Sequence, residues 1–250
     1  MTWRRVLDDV DEPGKQPELN WSLVDLAVIN KRLEGWEPQA VLQWGLVNFG
    51  DDLAIVTGFG PSGIVLMHMA TQLQAAPTIV YVQTDLFFAE TMALRDALAA
   101  RLGVTFVEVH SGLSLSEQAV RFGPCLWESN PDLCCSLRKV EPLRRFLAAK
   151  KAWVTGIRRD QSPTRAKATA VSWDNTNQLL KLCPLVAWTS AQVWAYIAQH
   201  HLPYNSLHDR GYPSIGCLPC TQPVGVNGHE RDGRWVGTDK LECGIHVQMM

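Results

Sequence analysis

The sequence predicts an α/β fold, a mainly parallel sheet with helices on both faces and an irregular tail at its C-terminal end. Three observations predict it. Short apolar runs of strand length alternate with segments of helical periodicity, the pattern of βαβ units. A glycine-rich turn lies between the first such strand and the helix after it. Beyond about Leu202 periodicity gives way to Gly, Pro, His and Cys. The chain has 250 residues, 46% hydrophobic and 19% charged, enough to bury a sizeable core.

Residues up to about Phe49 read as helical, with Leu23, Leu26 and Ile29 on one stripe and Val41 to Phe49 on another. Leu53–Thr57 is a short apolar strand, and Ser62–Leu73 the helix after it. Thr78–Gln83, rich in β-branched residues, is a second strand. In the helix Ala89–Leu102, Leu94, Leu98 and Leu102 recur at a spacing of four and mark one buried face. Thr105–His110 is a third strand. Ser114 and Glu117 form a capping box that opens a helix toward Phe122. A helix from about Ser136 to Ala149 precedes the strand Ala152–Thr155. Thr189 and Gln192 cap a later helix whose Val193, Trp194 and Ile197 face inward. The expected organisation is an N-terminal helical segment (1–50), a nucleotide-binding α/β region (51–202) and a cysteine-containing tail (203–250) laid over the carboxyl edge of the sheet.

The bulk numbers exclude several classes. A formal net charge of −2 gives no global pull toward nucleic acid or an anionic membrane, and no aromatic residues interleave with basic ones for stacking on single strands. Met1 to Gly14 is charged throughout, unlike a signal peptide. Leu53 to Thr84 contains no Asp, Glu, Lys or Arg, but Gly58, Gly60, Pro61 and Gly63 break that run before it reaches bilayer length. The expectation is a soluble, cytoplasmic protein. Seven cysteines, an odd number, fit reduced thiols better than a disulfide framework.

Gly58-Phe59-Gly60-Pro61-Ser62-Gly63 matches G-x-G-x-x-G, with Asp85 at about the dinucleotide-binding distance. Ile64 follows Gly63, so a Walker A loop, which needs Lys there, is excluded. The common physics is backbone N–H groups at a helix N-terminus, which favour an anionic group. A tight turn with no ligand is the ordinary alternative.

Cys134-Cys135 and Cys217-x-x-Cys220 are two pairs far apart in sequence, and four thiolates complete either a zinc or an iron–sulfur site. Adjacent cysteines converge poorly on one tetrahedral ion, whereas a cluster offers separate metal atoms. The alternative is a buried pair of small residues and a redox-active Cys-x-x-Cys. Cys125 and Cys183 lack partners in the pattern and read as core or incidental thiols. Cys243 lies in a glycine-containing tail, after Arg231, Arg234 and Lys240, and is the candidate nucleophile, with a surface thiol as its alternative. Arg158, Arg159, Arg165 and Lys167 follow the strand ending at Thr155, and Arg138 and Lys139 follow the cysteine pair. Gathered at one sheet edge, these would suit a substrate with several negative oxygens.

Taken together, Cys134-Cys135 with Ser136 to Lys139, the run Thr155 to Arg165, Cys217-Leu-Pro-Cys220, Arg231-Asp-Gly-Arg-Trp235 and Glu242-Cys-Gly-Ile-His246 resemble the assimilatory adenylylsulfate reductases. These form the iron–sulfur branch of the phosphoadenylylsulfate/adenylylsulfate reductase family. The resemblance covers roughly Leu53 to His246. It implies a fold related to the adenine-nucleotide α-hydrolases and a [4Fe–4S] cluster on Cys134, Cys135, Cys217 and Cys220. By position it implies Lys139, Arg231, Arg234 and His246 as ligands of the phosphosulfate group, and Gly58, Phe59, Gly60, Gly156 and Arg158 around the nucleotide. The chain departs from the family at Val82-Gln83-Thr84-Asp85, at Ala89-Glu90-Thr91 and at Gly58 to Pro61, all around the adenosine.

The chemistry implied is attack of Cys243 on the sulfur of adenylyl sulfate, release of AMP, and discharge of the S-sulfonated cysteine by an external dithiol, thioredoxin or glutaredoxin. Reduction of 3′-phosphoadenylyl sulfate by the same route is the near alternative. A nicotinamide-dependent dehydrogenase and a non-enzymatic zinc module are the distant ones. A homo-oligomer is left open.

Overall fold

The computed structural model describes residues 23–33, 35–74, 76–225 and 228–246. Met1 to Gly14, and the rest of the expected N-terminal segment up to residue 22, lie outside the described residues. Six strands form one sheet in the order β3-β2-β1-β4-β6-β5. They are β1 (Leu53–Val56), β2 (Ile79–Gln83), β3 (Phe106–His110), β4 (Ala152–Val154), β5 (Val171–Asp174) and β6 (Leu179–Leu182). All pairings are parallel except β5 with β6.

The strands are nearly continuous apolar runs because both sheet faces are covered. Their side chains still alternate between two cores with the period of two that a strand imposes. Leu53 and Ile55, Ile79 and Tyr81, and Ala152 and Val154 enter the larger core. Ala54, Val80, Val82 and Trp153 enter the smaller one. The larger core is closed by α1 (Leu23–Leu33), α2 (Pro38–Phe49), α3 (Pro61–Leu73), α4 (Ala89–Leu102) and α9 (Ser190–Gln199), through side chains such as Leu42, Leu66, Leu98 and Ile197. The smaller core is closed by Leu143 and Leu147 of α8 (Glu141–Leu147).

Both expected capping boxes form: Ser114 Oγ accepts from Glu117 N at the start of α5 (Leu115–Phe122), and Thr189 Oγ1 accepts from Gln192 N at the start of α9. Val193 and Ile197 of α9 are buried, while Trp194 is half-buried and packs edge-on against Tyr204 and His208.

Two expectations need correction. The helix read as starting at Ser136 starts earlier: after α6 (Leu126–Ser129), α7 (Pro131–Cys135) opens with Pro131 in its first turn and Asn130 Oδ1 accepting from Leu133 N. It then runs through a π-helical turn, Ser136–Val140, into α8. Pro142, an interior breaker by sequence, sits in the first turn of α8, where its missing N–H is tolerated. The hairpin β5–β6 was not expected at all, because Lys181 interrupts its apolar run. That lysine is buried, its ammonium 5.2 Å from the Trp153 ring.

Beyond Leu202 the described residues form only short 3-10 turns, Ser206–Arg210 and Leu218–Cys220, and isolated bridges, Phe87 to Cys217 and Thr221 to Arg234. These stitch the tail to the loop after β2 and to itself. No helix among the described residues is long and apolar enough to cross a membrane.

Candidate active site

Chain order reverses between β1 and β4: β2 and β3 extend one way, β6 and β5 the other. An open α/β sheet binds ligands outside the carboxyl ends of its strands at such a point. Here a cleft opens there, walled by Gly58 and Gly60 to Gly63 after β1 and Thr155 to Arg158 after β4, and covered by the tail. Gly156 lets the two loops touch, since a Cβ on it would come 2.8 Å from Ser62 Cβ and 3.2 Å from Gly63 N. Gly58 and Gly60 lie on the wall, next to the N-terminus of α3.

Phe59, expected beside the nucleotide, is not on the wall. Its backbone is left-handed (φ 61°), which turns the ring into the larger core against Tyr81 and Phe106. Arg158 lines the cleft, but its guanidinium is consumed by protein: Nη1 donates to Ser62 Oγ at 2.5 Å, Nε to Asp160 at 2.9 Å and Nη2 to Glu230 at 2.8 Å. It braces the loop after β4 against α3 and the tail rather than offering a free cation.

The four paired cysteines lie around the C-terminal end of β2. Cys134, Cys135 and Cys217 are buried and Cys220 half-buried. Burial first, and then the charges of Cys135, Cys217 and Cys220, push the Cys134 thiol up to about 11, so all four sense one another. Burial and Cys217 likewise push Cys220 up to about 11. At Cys217 burial acts upward as well, but Lys139 and the Thr84 hydroxyl, 3.4 Å from Sγ, outweigh it and lower the pKa.

Arg138, buried under the π turn, fixes this corner. It donates to Thr84 O at 2.6 Å, Asp85 Oδ2 at 2.6 Å, Gln118 Oε1 at 3.1 Å and Leu113 O at 3.2 Å. Among the described residues, no three His, Cys, Asp or Glu side chains are placed to hold a single metal ion. The backbone N–H of Trp235 donates to Cys220 O at 3.1 Å, and its indole Nε1 is buried with no hydrogen-bond partner among the described residues. Cys183 is fully buried in a third small core, and Cys125 caps α6 in a left-handed conformation, so neither joins this group.

The expected cations converge on the same cleft: Lys139, Arg231 and Arg234 line it together with Cys243 and His246. Lys139 is half-buried; burial alone would lower its pKa, but Cys217, Cys135 and Cys243 together raise it. Arg231 is lowered to about 10 by burial, then by Arg165, with Glu242 opposing. Arg234 lies 4.6 Å over the Trp235 ring and against Gly216, and its Nε is buried with no hydrogen-bond partner among the described residues.

His246 stacks on Trp153 at 5.7 Å, 4° from parallel, with Nδ1 buried and without a hydrogen-bond partner among the described residues. Burial, then Lys181, Arg165 and Arg231, hold its pKa well below the ordinary value. That direction favours the neutral imidazole in the free protein, with one ring nitrogen able to donate a hydrogen bond and the other to accept one. Cys243 sits between two anchors. Glu242 pairs with Arg165 and Arg231, and Ile245 packs on the smaller core. Sequence reading placed Arg165 among the basic residues suited to an anionic substrate and Glu242 in the tail motif, but not their pairing, which spans 77 positions and carries no local signal.

The sequence pattern of the phosphoadenosine phosphosulfate reductase domain matches residues 52–223. A protein of Salinibacter ruber described as adenosine 5′-phosphosulfate reductase is 52% identical over 228 residues, covering 91% of this chain and 90% of that one. One of Bacillus cytotoxicus with the same description is 45% identical, covering 84% of this chain and 90% of its own. Among solved structures, the phosphoadenylyl-sulfate reductase from Candida auris in a phosphate complex superposes with a TM-score of 0.71 at 32% identity, over 82% of this chain and 98% of that one. The Candida glabrata FMN adenylyltransferase bound to ATP superposes at 0.55 with 15% identity, over 86% of this chain and 75% of that one, a likeness of fold alone.

Proposed function

This chain belongs to the phosphoadenosine phosphosulfate reductase family, an oxidoreductase acting on a sulfur group, and from that premise we propose that it reduces adenylyl sulfate to sulfite and AMP. One observation carries the reading. A thiol with no assigned structural role, Cys243, stands in a cleft at the sheet's switch point, ringed by Lys139, Arg231, Arg234 and a buried unpartnered imidazole nitrogen. A cleft built this way accepts a nucleotide with several anionic oxygens and brings a nucleophile to it.

The nucleotide's phosphate is received at the N-terminus of α3, where Gly58 and Gly60 keep the backbone accessible. Lys139, Arg231 and Arg234 offset the repulsion between a thiolate and an anionic sulfuryl group. His246 Nδ1 and Arg234 Nε donate hydrogen bonds to its oxygens. The Cys243 thiolate attacks sulfur, the bond from sulfur to the bridging oxygen breaks, and AMP leaves with the electron pair. The cysteine is then an S-sulfocysteine. An external dithiol of the thioredoxin type attacks Cys243 Sγ and releases sulfite with its electron pair. Its second thiol resolves the mixed disulfide and restores Cys243.

Cys134, Cys135, Cys217 and Cys220 would hold a [4Fe–4S] cluster. The fit is supported by four soft thiols in mutual electrostatic contact, with the backbone N–H of Trp235 bonded to Cys220 O. When bound, the cluster supplies a fixed charge centre next to Lys139. The 3′-phosphorylated substrate is the second reading, favoured by the Candida auris neighbour.

Protein purified without air and supplied with thioredoxin should contain iron and acid-labile sulfide and release sulfite from adenylyl sulfate at least about tenfold more efficiently than from the 3′-phosphorylated compound. Preference for the latter reverses the substrate assignment. Zinc without sulfide removes the cluster.

A further inference from the structure

Glu242 takes part in none of those steps, yet its carboxylate is fully engaged. Oε2 accepts from Arg165 Nη2 at 2.8 Å and from Arg231 Nη2 at 3.0 Å. Oε1 accepts from Arg165 Nε at 2.9 Å and from Thr164 Oγ1 at 3.2 Å. The two parallel bonds to Arg165 are the bidentate geometry that fixes orientation as well as attraction. Solvent hardly reaches the pair: the side chains are 8% and 11% exposed.

Arg165 cannot follow a moving tail, because its Nη1 donates to Gln161 Oε1 at 2.5 Å within the loop after β4. Arg231 holds the same point from another segment and also donates to Leu241 O at 3.0 Å. Further upstream, the Lys240 side chain, 5% exposed, pairs with the exposed Asp132 and lies 5.6 Å from the Trp235 ring centroid, contacts two residues removed from Glu242. On the downstream side Gly244 has φ 87°, a joint between Cys243 and the Ile245 and His246 contacts. At the residue that directly precedes the nucleophile, the hold is that one carboxylate.

We propose that Glu242 is a positioning residue: acting through Arg165 and Arg231, it clasps the tail so that Cys243 is held inside the cleft, and the clasp opens when the adduct is discharged. The inference rests on the reading of Cys243 as the nucleophile. Removing one partner of a buried ion pair leaves the other charges uncompensated, so substitution should release the tail rather than loosen a surface contact.

The test compares the full chain with its E242A and E242Q variants, all purified without air. At saturating adenylyl sulfate and without reductant, formation of the Cys243 adduct should slow about tenfold or more in E242A, with affinity for AMP unchanged to within about twofold. Alkylation of Cys243 by iodoacetamide, without nucleotide, should quicken by about threefold or more as the tail spends time undocked.

A merely structural role would instead lower AMP affinity and thermal stability in step with the adduct rate. Adduct formation and alkylation both at wild-type rates in E242A would overturn the proposal. If E242A does not fold, E242Q, which keeps the shape and loses the charge, carries the same two measurements. If the wild type forms no adduct, the reading of Cys243 fails, and the alkylation comparison still decides whether Glu242 holds the tail.

Discussion

At the scale of single residues, environment assigns roles that residue type alone does not. Arg158, Arg165 and Arg234 look alike in sequence, yet Arg158 braces two loops, Arg165 holds the tail, and Arg234 keeps a buried donor free in the cleft. His246 makes the same point through its protonation. Burial on Trp153, then Lys181, Arg165 and Arg231, lower its pKa and favour the neutral ring in the folded protein. A histidine whose pKa is depressed on folding contributes stability that is complete above its unfolded value, near 6.5, and declines as pH falls toward the folded one. Glu242, also lowered, by Arg165 and Arg231 against the upward push of burial, adds a loss of the same sign at lower pH. The ring protons of His246, followed by NMR in the free protein, should therefore show no titration step at the ordinary histidine pH. A midpoint near 6.5 would mean that the imidazole is solvated and the tail undocked. The cysteines, the lysine and the arginines around the cleft were legible in the sequence because they form short, ordered motifs. The Arg165–Glu242 clasp was not, since only the fold brings positions 77 apart together.

Among elements, most of the α/β alternation could be read in advance, because each strand is a compact apolar run and each helix opens or closes on a recognisable signal. Two capping boxes and the buried face of α4, with Leu94 and Leu98 inside, follow that logic. The hairpin β5–β6 escaped because burial of Lys181 depends on Trp153 and the loops above it. Its turn did leave a trace in Asp174-Asn175-Thr176-Asn177, where Asp174 Oδ1 accepts from the N–H groups of Thr176 and Asn177. The π turn Ser136–Val140 left none. It places Lys139 in the cleft and Arg138 on the opposite side, buried against Thr84, Leu113 and Gln118. Arg138→Leu would leave those buried acceptors unpaired, at about 1–3 kcal/mol each. The expected loss is on the order of 3 kcal/mol or more in denaturant unfolding, with Cys134 and Cys135 more readily alkylated. A loss below about 0.5 kcal/mol would show that Arg138 does not hold this corner.

For the molecule as a whole, the parallel sheet creates the crevice between the ends of β1 and β4, and the tail converts it into a site. The glycine loop, the loop after β4, the cysteine-bearing helix and the tail come from four distant stretches, and in the proposed reaction each supplies what the others lack: an anion seat, a brace, a cation beside thiols, and the nucleophile. Sequence order alone could suggest that these stretches belong together but not that Cys243 faces the cleft, since that depends on contacts from Glu242 on one side and from Ile245 and His246 on the other. The central claim is that Cys243 takes the sulfuryl group from adenylyl sulfate. It is tested most directly by the intact mass of anaerobically purified protein after incubation with adenylyl sulfate and no reductant, followed by peptide mapping. The account predicts one added sulfite group per chain, on Cys243, absent from Cys243→Ser and discharged as sulfite by thioredoxin. An unmodified Cys243 in protein that nonetheless releases AMP and sulfite when thioredoxin is added would contradict it.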